Sequence, residues 1–195
     1  MPHHARPTGT ALRLVAVLLN LLALPVLSPA AATAADPLSA VPASPGSPVA
    51  GLSASCPGAL SSTGRRSASV HCLVNRARIV ARLPGFRRSG PLARAAARHA
   101  RDMARGRYFA HQRSGGPPLA RRARLAGWRG QVLGEAIAFG CNDSASPLSI
   151  VSSWLASPPH AAILLSRNLA RAGIGSAPAP MECPGATYVL VAGRG

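Results

Sequence analysis

Residues 91–106, Pro91-Leu92-Ala93-Arg94-Ala95-Ala96-Ala97-Arg98-His99-Ala100-Arg101-Asp102-Met103-Ala104-Arg105-Gly106, set apolar side chains at Leu92, Ala95, Ala96, Ala100 and Met103, with His99 in the same row. Steps of three and four residues put that row on one side of an α-helix of about four turns, opened by Pro91 and stopped near Gly106. The other side carries Arg94, Arg98, Arg101 and Arg105, a solvated stripe in which Asp102 is placed to pair with Arg98 or Arg105. His99, on the apolar row, reads as a packed, hydrogen-bonded core histidine.

Working outward, Val70, Leu73, Val74, Ala77, Val80 and Ala81 repeat the spacing over 67–83, and Pro84-Gly85 ends it. Downstream, a short helix fits 118–125, closed by Gly127, and 132–139 reads as a strand leading into the turn Gly140-Cys141-Asn142-Asp143. Helical spacing returns over 147–154, is interrupted by Ser157-Pro158-Pro159, and resumes for a turn or two over 160–165. Two strands close the chain, at 172–177 and 187–192. Helices first, short strands later and no regular alternation make this an α+β fold, not a doubly wound parallel sheet.

The 195 residues allow one ordinary domain with appendages, and 48% apolar content is enough for a core. Aromatic residues make up only 4%, so Ala, Val and Leu must do the filling. All 22 basic residues are Arg against 5 acids, a permanent formal charge of +17. That suits an anionic partner or surface. An Arg- and Ala-rich composition also follows from a GC-rich coding bias, so the charge by itself identifies no partner.

Residues 1–35 read as a secretory signal peptide: Arg6 and Arg13 without an acid, an apolar run from Leu14 to Leu27, then small residues before Asp36. The run is shorter than the ~20 residues a spanning helix needs, and no later segment is apolar enough to span once the signal is cleaved. Residues 36–55, rich in Pro, Ser, Ala and Gly, read as a linker, and 56–195 as the domain. Export disfavours nucleic acid as a partner, as do aromatic residues too scattered to stack bases. It also favours pairing of Cys56, Cys72, Cys141 and Cys183. Three connectivities are open. Cys56–Cys72 with Cys141–Cys183 is preferred, because the first bridge would tie the start of the domain to its first helix.

The domain holds four histidines, His71, His99, His111 and His160, and few acids. His111 follows Tyr108-Phe109-Ala110 beyond a helix end, Glu135 sits in Gly134-Glu135-Ala136-Ile137, and His160 follows Ser157-Pro158-Pro159 at a helix start. Separations of 24 and 25 residues match no local metal motif, so spacing alone does not bring these three together.

Tyr108-Phe109-Ala110-His111, Gly134-Glu135-Ala136-Ile137, Trp154-Leu155-Ala156-Ser157-Pro158-Pro159-His160 with Ile163-Leu164, and Gly173-Ile174-Gly175 occur in the order expected of the CAP superfamily. That superfamily comprises cysteine-rich secretory proteins, antigen 5 and pathogenesis-related proteins, and the chain resembles its compact bacterial members over roughly 68–195. The resemblance implies a three-layer α-β-α sandwich with a central cleft holding two histidines and acidic residues. On this chain those are His111, His160 and Glu135, with the histidines able to hold zinc or another divalent ion. Ala136 stands where the family has Asn, Ala161 where it has Arg, and Ser152 and Ser153 occupy the region of a second cleft carboxylate. Two imidazoles without that acid make a weak metal site. Asp143 and Glu182 are loop acids with weaker claims to the cleft.

The expected function is therefore a secreted, non-catalytic binding protein of the cell envelope or extracellular space, with lipid or an anionic envelope component as partner. The alternative is a zinc-dependent peptidase or esterase in which Glu135 is the general base. Neither His-Glu-x-x-His nor Gly-x-Ser-x-Gly occurs to support it.

Overall fold

The computed structural model describes residues 56–61, 66–180 and 183–195. The signal and linker readings of 1–35 and 36–55, and the side chain of Glu182, lie outside the described residues. The elements run α1 (Arg66–Val80), β1 (Arg87–Arg88), α2 (Gly90–Gly106), α3 (Leu119–Leu125), β2 (Val132–Cys141), a 3-10 turn (Asn142–Ala145), α4 (Pro147–Ala156), α5 (Pro158–Leu164), β3 (Arg171–Pro178) and β4 (Gly185–Arg194). The four strands form one sheet in the order β1-β3-β4-β2, antiparallel except for the β1–β3 pair.

Alternation along the strands divides the core in two. On β4, Ala186, Tyr188, Leu190 and Ala192 pack with Val70, Leu73 and Val74 of α1, Val151 and Trp154 of α4, and Leu164 of α5. Val189 and Val191 face the other way, onto Leu92, Ala96, Ala100 and Met103 of α2 and Ala123 of α3. This is the three-layer α-β-α sandwich, and β4 is buried on both faces. On the α2 side the layers touch through backbone: a Cβ added at Gly173 would run into Leu92 and Ala93, and one at Gly175 into Ala96 and Ala97. Glycine is required there for close approach.

Ser89 caps α2, its Oγ accepting from the Leu92 amide at 3.4 Å. At the other end Arg107, with φ 49°, turns the chain back, and its amide donates to Met103 O. The turn brings Tyr108 beneath Asp102, whose Oδ2 accepts from the Tyr108 hydroxyl at 2.5 Å. Asp102 lies 4.0 Å from Arg113 and pairs with neither Arg98 nor Arg105, because the tyrosine and the following loop reach it first.

Both expected disulfides, Cys56–Cys72 and Cys141–Cys183, are formed. Arg78 of α1 is 1% exposed and has no carboxylate partner among the described residues. Its guanidinium donates to Leu164 O (2.7 Å), Pro84 O (2.8 Å), Ser166 O (3.0 Å) and Leu169 O (3.4 Å), and stacks on Phe86 with 3.8 Å to the ring centroid. Leu164 ends α5, so the cation sits where that helix exposes unpaired carbonyls and the negative end of its dipole. Burial lowers the Arg78 pKa. Among the described residues no helix is long and apolar enough to cross a membrane.

Candidate functional site

β2 is an edge strand, so groups attached to opposite faces of the sheet can meet around it. Glu135 lies in β2 on the α2 side, in phase with Leu133 and Ile137, and its side chain is only 3% exposed. A carboxylate this deep requires partners. His111 Nδ1–H donates to Oε1 at 2.9 Å. Arg122 of α3 donates from Nη2 to Oε1 at 3.1 Å and sets Nη1 3.0 Å from Oε2, off the line of a hydrogen bond. The same Nη2 donates to the His111 carbonyl at 2.8 Å, so Arg122 clamps both the carboxylate and the loop that carries the imidazole.

That loop is fixed from two further directions. His99 Nε2–H donates to Ala110 O at 3.0 Å, and Phe109 meets Phe139 of β2 edge to face at 4.9 Å between centroids. His99 is 2% exposed and is the packed, hydrogen-bonded histidine its helical row predicted. Burial first, and then the Arg122 charge, lower its pKa.

His160 arrives from the other side of the sheet. Ser157 ends α4 and precedes α5, with Pro158 and Pro159 in the first turn, where φ near −65° and a missing N–H are tolerated. His160 therefore stands one turn beyond Ser157, and its Nδ1 lies 3.0 Å from Ser157 Oγ. Its pKa is lowered, chiefly by burial and secondly by the charge of His111.

Both imidazoles are held through Nδ1, and among the described residues neither Nε2 has a protein partner. For His111 the carboxylate also fixes the tautomer, leaving the Nε2 lone pair available. Such nitrogens suit a divalent ion, but among the described residues no three His, Cys, Asp or Glu side chains gather as a metal group. Two imidazole nitrogens alone do not make a closed structural metal site, and any ion they held would keep positions open to water. Asp143 is exposed in the 3-10 turn, and Ser152 Oγ donates to Leu148 O at 2.7 Å, so it is committed to its own helix.

Sequence reasoning did not single out Arg122. Its signal was helical phase: Leu119, Arg122, Ala123 and Ala126 are spaced three and four apart, and both alanines are buried. Arg121 and Arg124, beside it in sequence, are exposed.

The family model described as the cysteine-rich secretory protein family, CAP, matches residues 72–191. No curated protein matches the chain. Among solved structures, an extracellular protein containing an SCP domain from Bacillus anthracis is 24% identical with a TM-score of 0.57, over 67% of this chain and 40% of that one. An outer surface protein from Borrelia burgdorferi is 18% identical with a TM-score of 0.54, over 64% and 89%. A cysteine-rich secretory protein from Staphylococcus aureus is 16% identical with a TM-score of 0.53, over 67% and 38%. The chain thus spans about two fifths of the length of the Bacillus and Staphylococcus proteins. At these identities the likenesses speak to fold, and they agree with the α-β-α layering and with the family match over most of the domain. The chain belongs to the cysteine-rich secretory protein (CAP) family.

Proposed function

We propose that the chain is an exported, non-catalytic binding domain of the extracellular space or cell envelope, with a cleft at His111 and His160 that takes a divalent cation such as zinc weakly. The observation that carries this reading is the engagement of Glu135. A general base must be free to accept a proton from water or substrate. Glu135 instead spends its carboxylate on Arg122 and His111 and is 3% exposed. That is the place of a group that orients a ligand, and it speaks against the zinc hydrolase alternative.

Export is supported by two disulfides, which persist in oxidising compartments. It is further supported by likeness to proteins described as extracellular, outer surface and secretory. A bound cation would offer open positions to an oxygen ligand, and His111 and His160 would hold it through Nε2. A lipid or anionic envelope polymer fits the arginine-rich exterior.

The test is calorimetric zinc titration of wild type, His111→Ala, His160→Ala and Glu135→Gln. Weak binding is expected in wild type, absent from both histidine variants and weakened about 10–100-fold by loss of the orienting carboxylate. Undiminished zinc binding in either histidine variant, or none in wild type, would sink the shared site. Ester or peptide turnover abolished by Glu135→Gln would restore the hydrolase.

A further inference from the structure

Beside Arg122 lies a pocket of about 310 Å³ lined by α2, the 107–118 loop and α3. Its volume is at the low end for a small-molecule site. We infer that this pocket binds a phosphate group carried on a small body, held by Arg98, Arg113 and Arg122. The three guanidiniums come from three different elements, α2, the loop and α3, and line one cavity. Arrangement on several sides suits a tetrahedral group with three accepting oxygens better than a flat carboxylate, which one fork satisfies.

Charge within the pocket is unbalanced. Asp102 is its one lining carboxylate; the Tyr108 hydroxyl occupies its Oδ2, and Arg113 Nε stands 4.0 Å away. Glu135 answers Arg122 from outside the lining. Arg98 has no carboxylate partner and reaches only Leu125 O, at 3.5 Å. His99, also in the lining, is buried and committed to Ala110 O. Ala95, Pro117 and the 65%-exposed Leu125 add an apolar wall for the ligand's body. A phosphate monoester offers two to three accepting oxygens and about two negative charges, matching the unpaired Arg98 and the loosely paired Arg113.

The pocket shares Arg122 with the His111–Glu135 cluster, but neither His111 nor His160 lines it. The experiment is calorimetric titration of the full, disulfide-bonded chain with glycerol 1-phosphate, with glycerol as the uncharged control. The variants are Arg98→Gln, Arg113→Gln and, away from the pocket, Arg167→Gln, which is exposed. One-to-one binding is expected, weakened at least tenfold by either pocket variant and less than twofold by Arg167→Gln. Equal weakening by all three would mean diffuse attraction to a basic surface and would overturn the proposal, as would the absence of saturable binding. Vesicles containing phosphatidic acid then separate the sources: competition with glycerol 1-phosphate assigns the pocket to a lipid headgroup, and no competition to a soluble phosphate, the site standing in both cases. Zinc affinity measured on Arg98→Gln should equal wild type, so failure here and failure of the histidine cleft are read independently.

Discussion

Replacing Arg78 by Met tests what holds α5, and with it His160, against the rest of the domain. Methionine fills much of the same volume but leaves the carbonyls of Leu164, Pro84 and Ser166 without the donors now 2.7–3.0 Å away. The Leu164 bond is buried, so its stranded acceptor costs about 1–3 kcal/mol. The Pro84 and Ser166 bonds are part-buried, and water can replace some of their loss, about 1 kcal/mol each. Loss of the stack on Phe86 adds roughly 0.5–1 kcal/mol. Against these stands the desolvation of a guanidinium that methionine avoids, worth several kcal/mol in other buried ion sites. Here the offset is partial, because the acceptors are backbone atoms that the substitution cannot remove. A net loss of about 3 kcal/mol follows, which for a domain of this size lowers Tm by roughly 10 °C. Circular dichroism melts would measure it. Arg78→Lys should fall between, since an ammonium reaches fewer carbonyls and lacks the planar face. Amide exchange at Leu165, whose N–H closes α5 on Ala161 O, should accelerate beyond the global change. A Tm within about 3 °C of wild type would refute this account of the buried arginine.

Stability should fall on acidification below about pH 6.5. His71, His99 and His160 all have depressed folded-state pKa values, burial being the first cause in each, so below 6.5 the unfolded chain binds protons the folded chain resists. That stability is complete above the unfolded pKa and is lost progressively as pH falls from there through the lower folded values. Melts at pH 7.5 and 5.0 check the direction, His99→Gln should flatten the slope, and an unchanged Tm would contradict it. Gly175→Ala, which drives a methyl into the backbone of Ala96 and Ala97, should cost about 1–3 kcal/mol or more by urea titration. An unmoved midpoint would mean α2 does not rest on the β3 backbone.

What the sequence disclosed of the fold was mostly local. The row Leu92, Ala95, Ala96, His99, Ala100, Met103 is a helix with that face buried, because 3.6-residue periodicity is written into consecutive residues. The strands at 171–178 and 185–194 run a little past the stretches their apolar content marked, since ladder bonds continue to Pro178 and Arg194 whatever the side chains there. β1 escaped notice: two arginines carry no alternation, and they form a strand only because Arg171 and Ala172 lie alongside. Asp102 was assigned a helical neighbour by spacing, yet the left-handed turn at Arg107 returns a tyrosine to it, an outcome that depends on one backbone dihedral.

The site divides along the same line. His111, Glu135 and His160 were visible as residue types and, through the family resemblance, as partners; spacing held no reason for His111 to reach Glu135, a contact made by the loop after α2 against edge strand β2. Arg122 was hidden by its company. In an Arg-rich helix, composition distinguishes none of the cations, and only phase with Leu119, Ala123 and Ala126 turns one of them inward. Once inward, Arg122 needs a counter-charge, and β2 presents Glu135. The two then fix each other, and the pair fixes the His111 carbonyl and ring. A charge pair that requires both helix phase and sheet register is a tertiary property, which is why sequence could name the histidine and the glutamate and still leave out the residue that holds them.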